Sequence, residues 1–411
     1  MSPHRRRFRA WLAALLFAAA QPALAQLLDE LDEALFVESA DGRFRSDLSV
    51  LWDVEAYYID QRPPAILVSD DDVLFNPRLA FFIDTTLGRH FYSLVQARID
   101  RGFDPGVAGN LDARFDEYLL RYSPFADARL QLQAGKFATV VGNWVARHDS
   151  WRNPLINAPL PYENITTISD HAVPADSAAL VARRDINDNK PAWLPIIWGP
   201  AYSTGFSAAG LVQKFEYALE FKNASISSRP YAWDAFTRGF DDPTWSGRLG
   251  YRPNAAWRIG ASVSTGPYLI EPAQLALPPG RSMGDFDQTT LIFDAAWSRR
   301  HWEVWAELFL SRFEVPNTED ADTLAYYIEA KYGLSPKWSL AARWNQQVFN
   351  EITNALGGES HWDRDTWRMD SALSHQFSRH WQARMQYSYT HKNGPLQQGE
   401  QTLSAQLSLK F

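Results

Sequence analysis

The sequence predicts an all-β chain, a transmembrane antiparallel β-barrel of about 16 strands (16–18). Three observations predict it. The last ten residues, Thr402 to Phe411, alternate strictly between apolar and polar side chains and stop on an aromatic. About sixteen segments of this period-two kind can be counted along the chain, and the connections between them run short, long, short, long. The N-terminus reads as a secretory signal, and no later stretch is apolar for long enough to cross a bilayer as a helix. An exported chain that enters a membrane without helices must close into a barrel, because lipid satisfies no backbone hydrogen bond.

Taken in order, Arg5, Arg6, Arg7 and Arg9 form a positive leader, Trp11 to Ala20 an apolar core, and Ala23-Leu24-Ala25 a small-residue cleavage site. Residues 1–25 are therefore expected to be removed after Ala25 during export to the outer membrane of a Gram-negative bacterium. Residues 26–42 read as a periplasmic lead-in. In it Leu27, Leu28, Leu31, Leu35 and Phe36 fall at helix-like spacing among acids, so a short amphipathic helix and an unstructured lead-in both fit. The barrel then occupies 43–411.

Its first strand is expected from Phe44 to Ile59, with Leu48, Val50, Trp52, Val54 and Ala56 on one face and Asp47, Ser49, Asp53 and Glu55 on the other. The pattern is clearest in the C-terminal half. Trp302, Val304, Ala306, Leu308 and Leu310 alternate with Glu303, Trp305, Glu307 and Phe309. Leu324 to Tyr332, Trp338 to Trp344, Trp367 to Phe377 and Trp381 to Tyr389 repeat the scheme, several with an aromatic at each end, as expected where a strand crosses both headgroup layers. The supply of 17 Trp, 16 Tyr and 24 Phe is ample for such girdles.

Short turns are expected near Gly88–His90, Ser123–Asp127, Gln213–Lys214, Arg252–Ala255, Ser298–Arg300, Leu334–Pro336 and Ser378–His380. Longer loops cover roughly 61–73, 103–110, 138–204, 225–242, 266–287, 314–322, 348–364 and 392–400. Seven short and eight long connections are the count that sixteen strands with both termini on one side require. Cysteine is absent, which removes disulfide staples and thiolate metal sites. The net charge of −8, without a basic stripe, argues against a nucleic-acid partner.

The connection 138–204 is the longest, and by this count the third on the outer side. Trp144, Trp151, Leu155, Ile156, Tyr162, Ile165, Trp193, Leu194, Ile196, Ile197 and Trp198 are too many apolar groups to leave in water, and seven prolines stiffen the path. An inward-folded plug or constriction fits better than an extracellular cap. In the signal, the strand-and-loop rhythm, the position of this loop and the terminal Phe411, the chain resembles the Gram-negative general porins. Their third loop folds into the barrel and narrows it. The resemblance is one of architecture and includes no loop signature matched residue for residue. It implies that Phe411 is read by the barrel assembly machinery. Classical porins are trimers, which makes a homo-oligomer an implied partner, although no residue pattern marks a trimer face.

Candidate pore-lining residues follow from the faces. Arg343, Arg368 and Arg384 come from three successive strands and point to the expected lumen as a basic ladder, with strands about 5 Å apart. Glu303, Glu307 and Glu329 on the two strands before it, and Arg98 on an early strand, join them. In the loop, Arg147, Asp149, Arg152, Glu163, Arg183 and Arg184 are the candidate constriction charges, with Asp170, Asp176, Asp185, Asp188 and Lys190 nearby. Charges fixed in a narrow, low-dielectric channel sort permeants by charge. A structural hydrogen-bonded network of the same residues is the competing reading. His148-Asp149 and Asp170-His171 lack metal-ligand spacing, no nucleophile motif frames a Ser/His/Asp set, and no cofactor motif occurs.

The function these readings point to is passive diffusion of small hydrophilic solutes through an outer-membrane channel, with anions suited to the arginine ladder and no enzymatic step. Two alternatives use the same barrel. One is an export conduit for a charged polymer, which needs a wide tunnel lined by one sign of charge. The other is a non-conducting scaffold for a periplasmic or secreted partner, which would fill the lumen.

Overall fold

A computed structural model describes residues 26, 28–31, 34–60, 69, 71–102, 111–186, 190–230, 239–394 and 399–411. The signal segment 1–25, Leu27, Asp188 and parts of the expected loops 61–73, 103–110, 225–242 and 392–400 lie outside them.

Sixteen strands form one antiparallel barrel, the predicted number. They are β1 (Phe44–Ile59), β2 (Val73–Leu87), β3 (Phe91–Asp100), β4 (Asp112–Tyr122), β5 (Gln131–Phe137), β6 (Ser203–Val212), β7 (Phe215–Lys222) and β8 (Thr244–Asn254). Then follow β9 (Trp257–Pro267), β10 (Asp287–Arg299), β11 (Trp302–Phe313), β12 (Ala321–Gly333), β13 (Trp338–Phe349), β14 (Thr366–Gln376), β15 (Trp381–Lys392) and β16 (Glu400–Lys410). Each strand pairs with its sequence neighbours, and β16 closes on β1 from Thr402↔Ile59 to Lys410↔Leu51. Closure leaves no open edge along the sheet, which is what hydrocarbon demands of a backbone.

The predicted faces explain why the strands stand as they do. Leu310, Ile328 and Met369 are 41 %, 53 % and 49 % exposed on the outside, while Glu307, Glu329 and Asp370 on the opposite faces are buried. Short connections sit at 88–90, 123–130, 213–214, 255–256, 300–301, 334–337 and 377–380, close to the expected turns. Gly88 takes φ +58, a left-handed conformation that a side chain would strain in so tight a turn. In β4 the register slips by one residue opposite Gln96 and Ala97, so that Asp116 is the unpaired residue of a bulge.

The longest connection runs from 138 to 202. Ser203 and Thr204, expected in the loop, belong instead to β6, because they pair with Phe137 and Lys136. It has two parts. In the first, Val141, Trp144, Val145 and Tyr162, joined by the returning Ile196 and Ile197, pack on inward-facing Ile292, Phe309 and Tyr327. In the second, Ile165, Ile168, Trp193, Leu194 and a helix, α1 (Ser177–Arg183), pack with Tyr268, Phe313 and Trp362 at the long-loop end of the barrel. Asp176 caps α1 by accepting from the Ala179 N–H at 2.8 Å. The expected alternatives of plug and cap are thus two halves of one segment. A small hairpin, Glu351–Thr353 with Glu359–His361, adds to the same mouth.

Candidate functional site

Two stretches of the inner wall differ in what covers them, although both carry buried charges. From β10 to β13 it offers apolar groups such as Ile292, Phe309, Ala325 and Tyr327, and the loop covers them. From β1 to β4 it offers charges and hydroxyls. There a cavity of about 700 Å³ lies between Asp53, Glu55, Arg78, Arg98, Arg114 and Asp116 on the wall and Trp144, His148, Trp151, Arg152 and Tyr202 on the loop.

The cavity's lining runs the length of the wall. Asp84 and Tyr92 lie beside the short β2–β3 turn, and Asp100 and Gly102 lie at the other end of β3. The eight steps of strand from Tyr92 to Asp100, at about 3.3 Å each, span roughly 26 Å along the strand and, at a tilt of about 40°, roughly 20 Å of membrane height. Lys410 near the short-turn end and Pro230 beyond the long-loop end also line it.

Its charges are mostly paired. Arg78 binds Glu55 and lies 3.5 Å from Asp53. Arg98 meets Asp116 at 2.6 Å, and Arg114 donates to Asp116 at 3.0 Å and to Asp100 at 2.9 Å. The Ser150 hydroxyl of the loop donates to Asp53 at 2.7 Å, tying the loop to β1. Among the described residues, eight carboxylates (Asp53, Glu55, Asp84, Asp100, Asp116, Glu117, Asp149, Glu163) and five cations (Arg78, Arg98, Arg114, Arg152, Lys410) line the cavity, a formal excess of three negative charges.

The arginine ladder lies elsewhere. Arg343, Arg368 and Arg384 face inward, yet they are only 1 %, 3 % and 4 % exposed, because the loop lies on them, and none of them lines the cavity. Arg343 donates to the carbonyls of Asn157 and Ala158, each at 2.9 Å, and pairs with Asp370 at 2.9 Å and Glu329 at 3.1 Å. Arg368 binds Asp370, Glu163 and the Ala158 carbonyl. Arg384 reaches the Ser150 carbonyl at 3.2 Å and the Gln406 amide oxygen. The ladder thus holds loop backbone by its carbonyls, in the geometry that a guanidinium fork suits.

The expected acids divide similarly. Glu307 accepts from the Asn143 N–H, from the Trp144 N–H at 3.2 Å and from the Tyr162 hydroxyl at 2.8 Å. Gly142, at φ +73, permits that approach, since a Cβ there would collide with Glu307 and the Tyr162 hydroxyl. Glu329 joins Arg147, whose guanidinium also stands 4.3 Å from the Trp305 ring centre, to Arg343. Glu303 pairs with Lys331 at 2.9 Å near the short-turn end.

Of the loop candidates, Asp149, Arg152 and Glu163 line the cavity, and the Arg152 N–H donates to Asp149 at 2.8 Å. Arg183 and Arg184 are in the cap, where Arg183 donates to the carbonyls of Thr167 and Ala172 and Arg184 to that of His361. Arg98 is in the lining of the cavity. His148 is held by the Val145 carbonyl and the Tyr202 hydroxyl, and His171 by Asp170. Among the described residues no group of three or more His, Asp or Glu is placed to hold a metal ion. Arg78, Arg114, Asp100 and Asp116 are not among the expected residues; their half of the chain alternates less regularly, and the bulge at Asp116 interrupts the period in β4.

No protein-family model and no curated protein matches the sequence. Solved structures do match in fold. The outer-membrane protein OmpT of Vibrio cholerae aligns over 92 % of this chain and 99 % of its own, at 9 % identity and a TM-score of 0.57. It has also been solved in a trimer form. The anion-selective porin of Comamonas acidovorans aligns over 90 % of this chain and all of its own, at 9 % identity and a TM-score of 0.57. OmpF of Salmonella typhi, in complex with daunomycin, gives 91 %, 100 %, 10 % and 0.56 in the same order. At such identities the likeness establishes the fold, a 16-strand porin-type barrel.

Proposed function

We propose that this chain is a porin-like channel of the bacterial outer membrane, passing small hydrophilic solutes by diffusion between the β1–β4 wall and the loop. The observation that carries the reading is the cavity whose lining extends from Asp84, Tyr92 and Lys410 at one end to Asp100, Gly102 and Pro230 at the other. Polar side chains along that height suit a water path, and an apolar lumen core on the β10–β13 side suits a loop held permanently in place. Export through the signal ending at Ala25, insertion guided by the strand ending at Phe411, and a trimer like that of Vibrio OmpT complete the proposal.

The selectivity proposed is a preference for cations. The arginines that favoured anions in the sequence, Arg343, Arg368 and Arg384, lie under the loop, and the lining carries the excess of carboxylates counted above. A polymer conduit calls for one sign of charge along a wide tunnel, and the alternating arginine–carboxylate pairs of β1–β4 do not favour it. A scaffold for a partner has less support, because the chain's own loop occupies much of the lumen.

Reconstituting the folded protein in liposomes tests the reading. Swelling in small sugars, with a reversal potential in a salt gradient that favours the cation, is the expected result. Verified folded barrels that admit neither sugar nor salt would overturn the channel, and a reversal potential favouring chloride would overturn the selectivity.

A further inference from the structure

Every neighbouring pair of barrel strands except one is joined by a stretch of chain. The exception is β16–β1, which the ladder alone holds. The two strands are also unequal, 16 residues against 11, and the pairing ends where the Val50 N–H donates to the Phe411 carbonyl and the Phe411 N–H to that of Val50. Below Val50, the edge of β1 from Phe44 to Ser49 would be open on the β16 side.

The N-terminal segment fills this edge. Phe36, Val37 and Glu38 pair with Asp47, Ser46 and Arg45, and the Leu48 N–H donates to the Leu35 carbonyl at 2.8 Å. Upstream, Leu28, Asp29, Glu30 and Leu31 are helical and lie on the outer side of the same seam. Leu28 is 4 % exposed, buried with Trp381 of β15 and Leu407 of β16 and bordered by Trp52, Leu409 and Phe411. Asp29 accepts from Arg379 at 2.6 Å and meets the His380 ring at 2.7 Å, in the turn between β14 and β15. The other His380 ring nitrogen lies 2.7 Å from the Lys410 carbonyl.

We propose that this segment is a strap that clasps the closing seam of the barrel, with the outer patch of Trp52, Trp381, Leu407 and Leu409 as its docking surface. One end grips β15 and β16 through Leu28 and Asp29, the other extends the sheet on β1, and the turn through Gly42 connects them. The strap therefore does for β16 and β1 what a chain connection does for every other neighbouring pair. It also covers the C-terminal strand at its rim, so that the seam is closed to a further strand once the barrel has folded. Leu31, Phe36 and Val37 stay exposed, which suits a segment lying at the headgroup level.

The chain has no cysteine, so Leu28→Cys with Leu407→Cys makes a unique pair for the test. In the full-length protein, folded in outer-membrane vesicles, mild oxidation is expected to join the two. In a second variant, Leu28→Asp with Asp29→Ala, amide exchange at the rim of β1 and β16 is expected to quicken about tenfold, while that of β10–β12 stays unchanged. Folded barrels that do not cross-link, or a double variant whose seam exchanges no faster than the original, would overturn the strap. Because both readouts are taken on folded barrels and neither measures conductance, they are independent of whether the barrel is a channel.

Discussion

At the scale of single residues, Arg343 shows how a correct face assignment and a different task coexist. Alternation with Ala342 and Trp344 places it inward, and inward it points. What alternation leaves out is that loop carbonyls 185 residues away in sequence accept its protons. Those hydrogen bonds depend on where a long loop settles, which is fixed by packing with many distant residues and not by local period. Its neighbours Glu329 and Asp370 are as deeply buried; Glu329 also has Arg147, but among the described residues Asp370 has only Arg343 and Arg368 as ion-pair partners, so removing both guanidinium groups leaves that carboxylate uncompensated in a low-dielectric site. Breaking such a buried pair costs about 3–5 kcal/mol. Changing Arg343, Arg368 and Arg384 together to Ser is therefore expected to loosen the loop, with noisier single-channel currents and a lower unfolding temperature. It is expected to leave cation preference in place. A quiet channel whose preference moves strongly toward cations would instead put the ladder in the water path.

At the scale of elements, the strands were legible almost throughout, because a two-sided environment of lipid and water writes itself into every second residue. The same force made the loop only half legible. Its apolar content required packing, and Leu155, Leu194, Ile196 and Ile197 are indeed fully buried. The division into a lumen half and a mouth half was not visible, because both halves use the same mixture of Trp, Ile and Pro. The partners that tell them apart, Phe309 and Tyr327 for one and Phe313 with the loop residue Trp362 for the other, lie far along the chain. Their presence on inward positions was the available signal: apolar residues interrupt the polar face from β10 to β13, where something must cover them. Deletion of 145–195 is expected to raise single-channel conductance several-fold, since it removes the cap together with the part of the lumen half that includes Val145 and Tyr162. Unchanged conductance from a folded barrel would take the loop out of the permeation path.

At the scale of the whole molecule, two unlike halves of one barrel divide the work. The β10–β16 side anchors the loop through arginines, amides and apolar groups, and the β1–β4 side faces the remaining cavity with paired charges. The excess of carboxylates over cations there makes the proposed path favour cations. The sequence pointed to the first side, where the arginines are conspicuous, and named only Arg98 on the second, because Arg78 and Arg114 stand on strands to either side of it and become one surface with it only when the sheet curls. The most direct measurement uses the absence of native cysteine. Gln96, 3 % exposed, lines the cavity near the middle of β3, whereas Ser264, 2 % exposed and hydrogen-bonded to Ser246, stands outside the cavity's lining. A charged thiol reagent added to Gln96→Cys channels in a planar bilayer is expected to step the conductance down, and to leave Ser264→Cys channels unaffected. Full conductance after proven labelling at position 96 would contradict a water path between the wall and the loop.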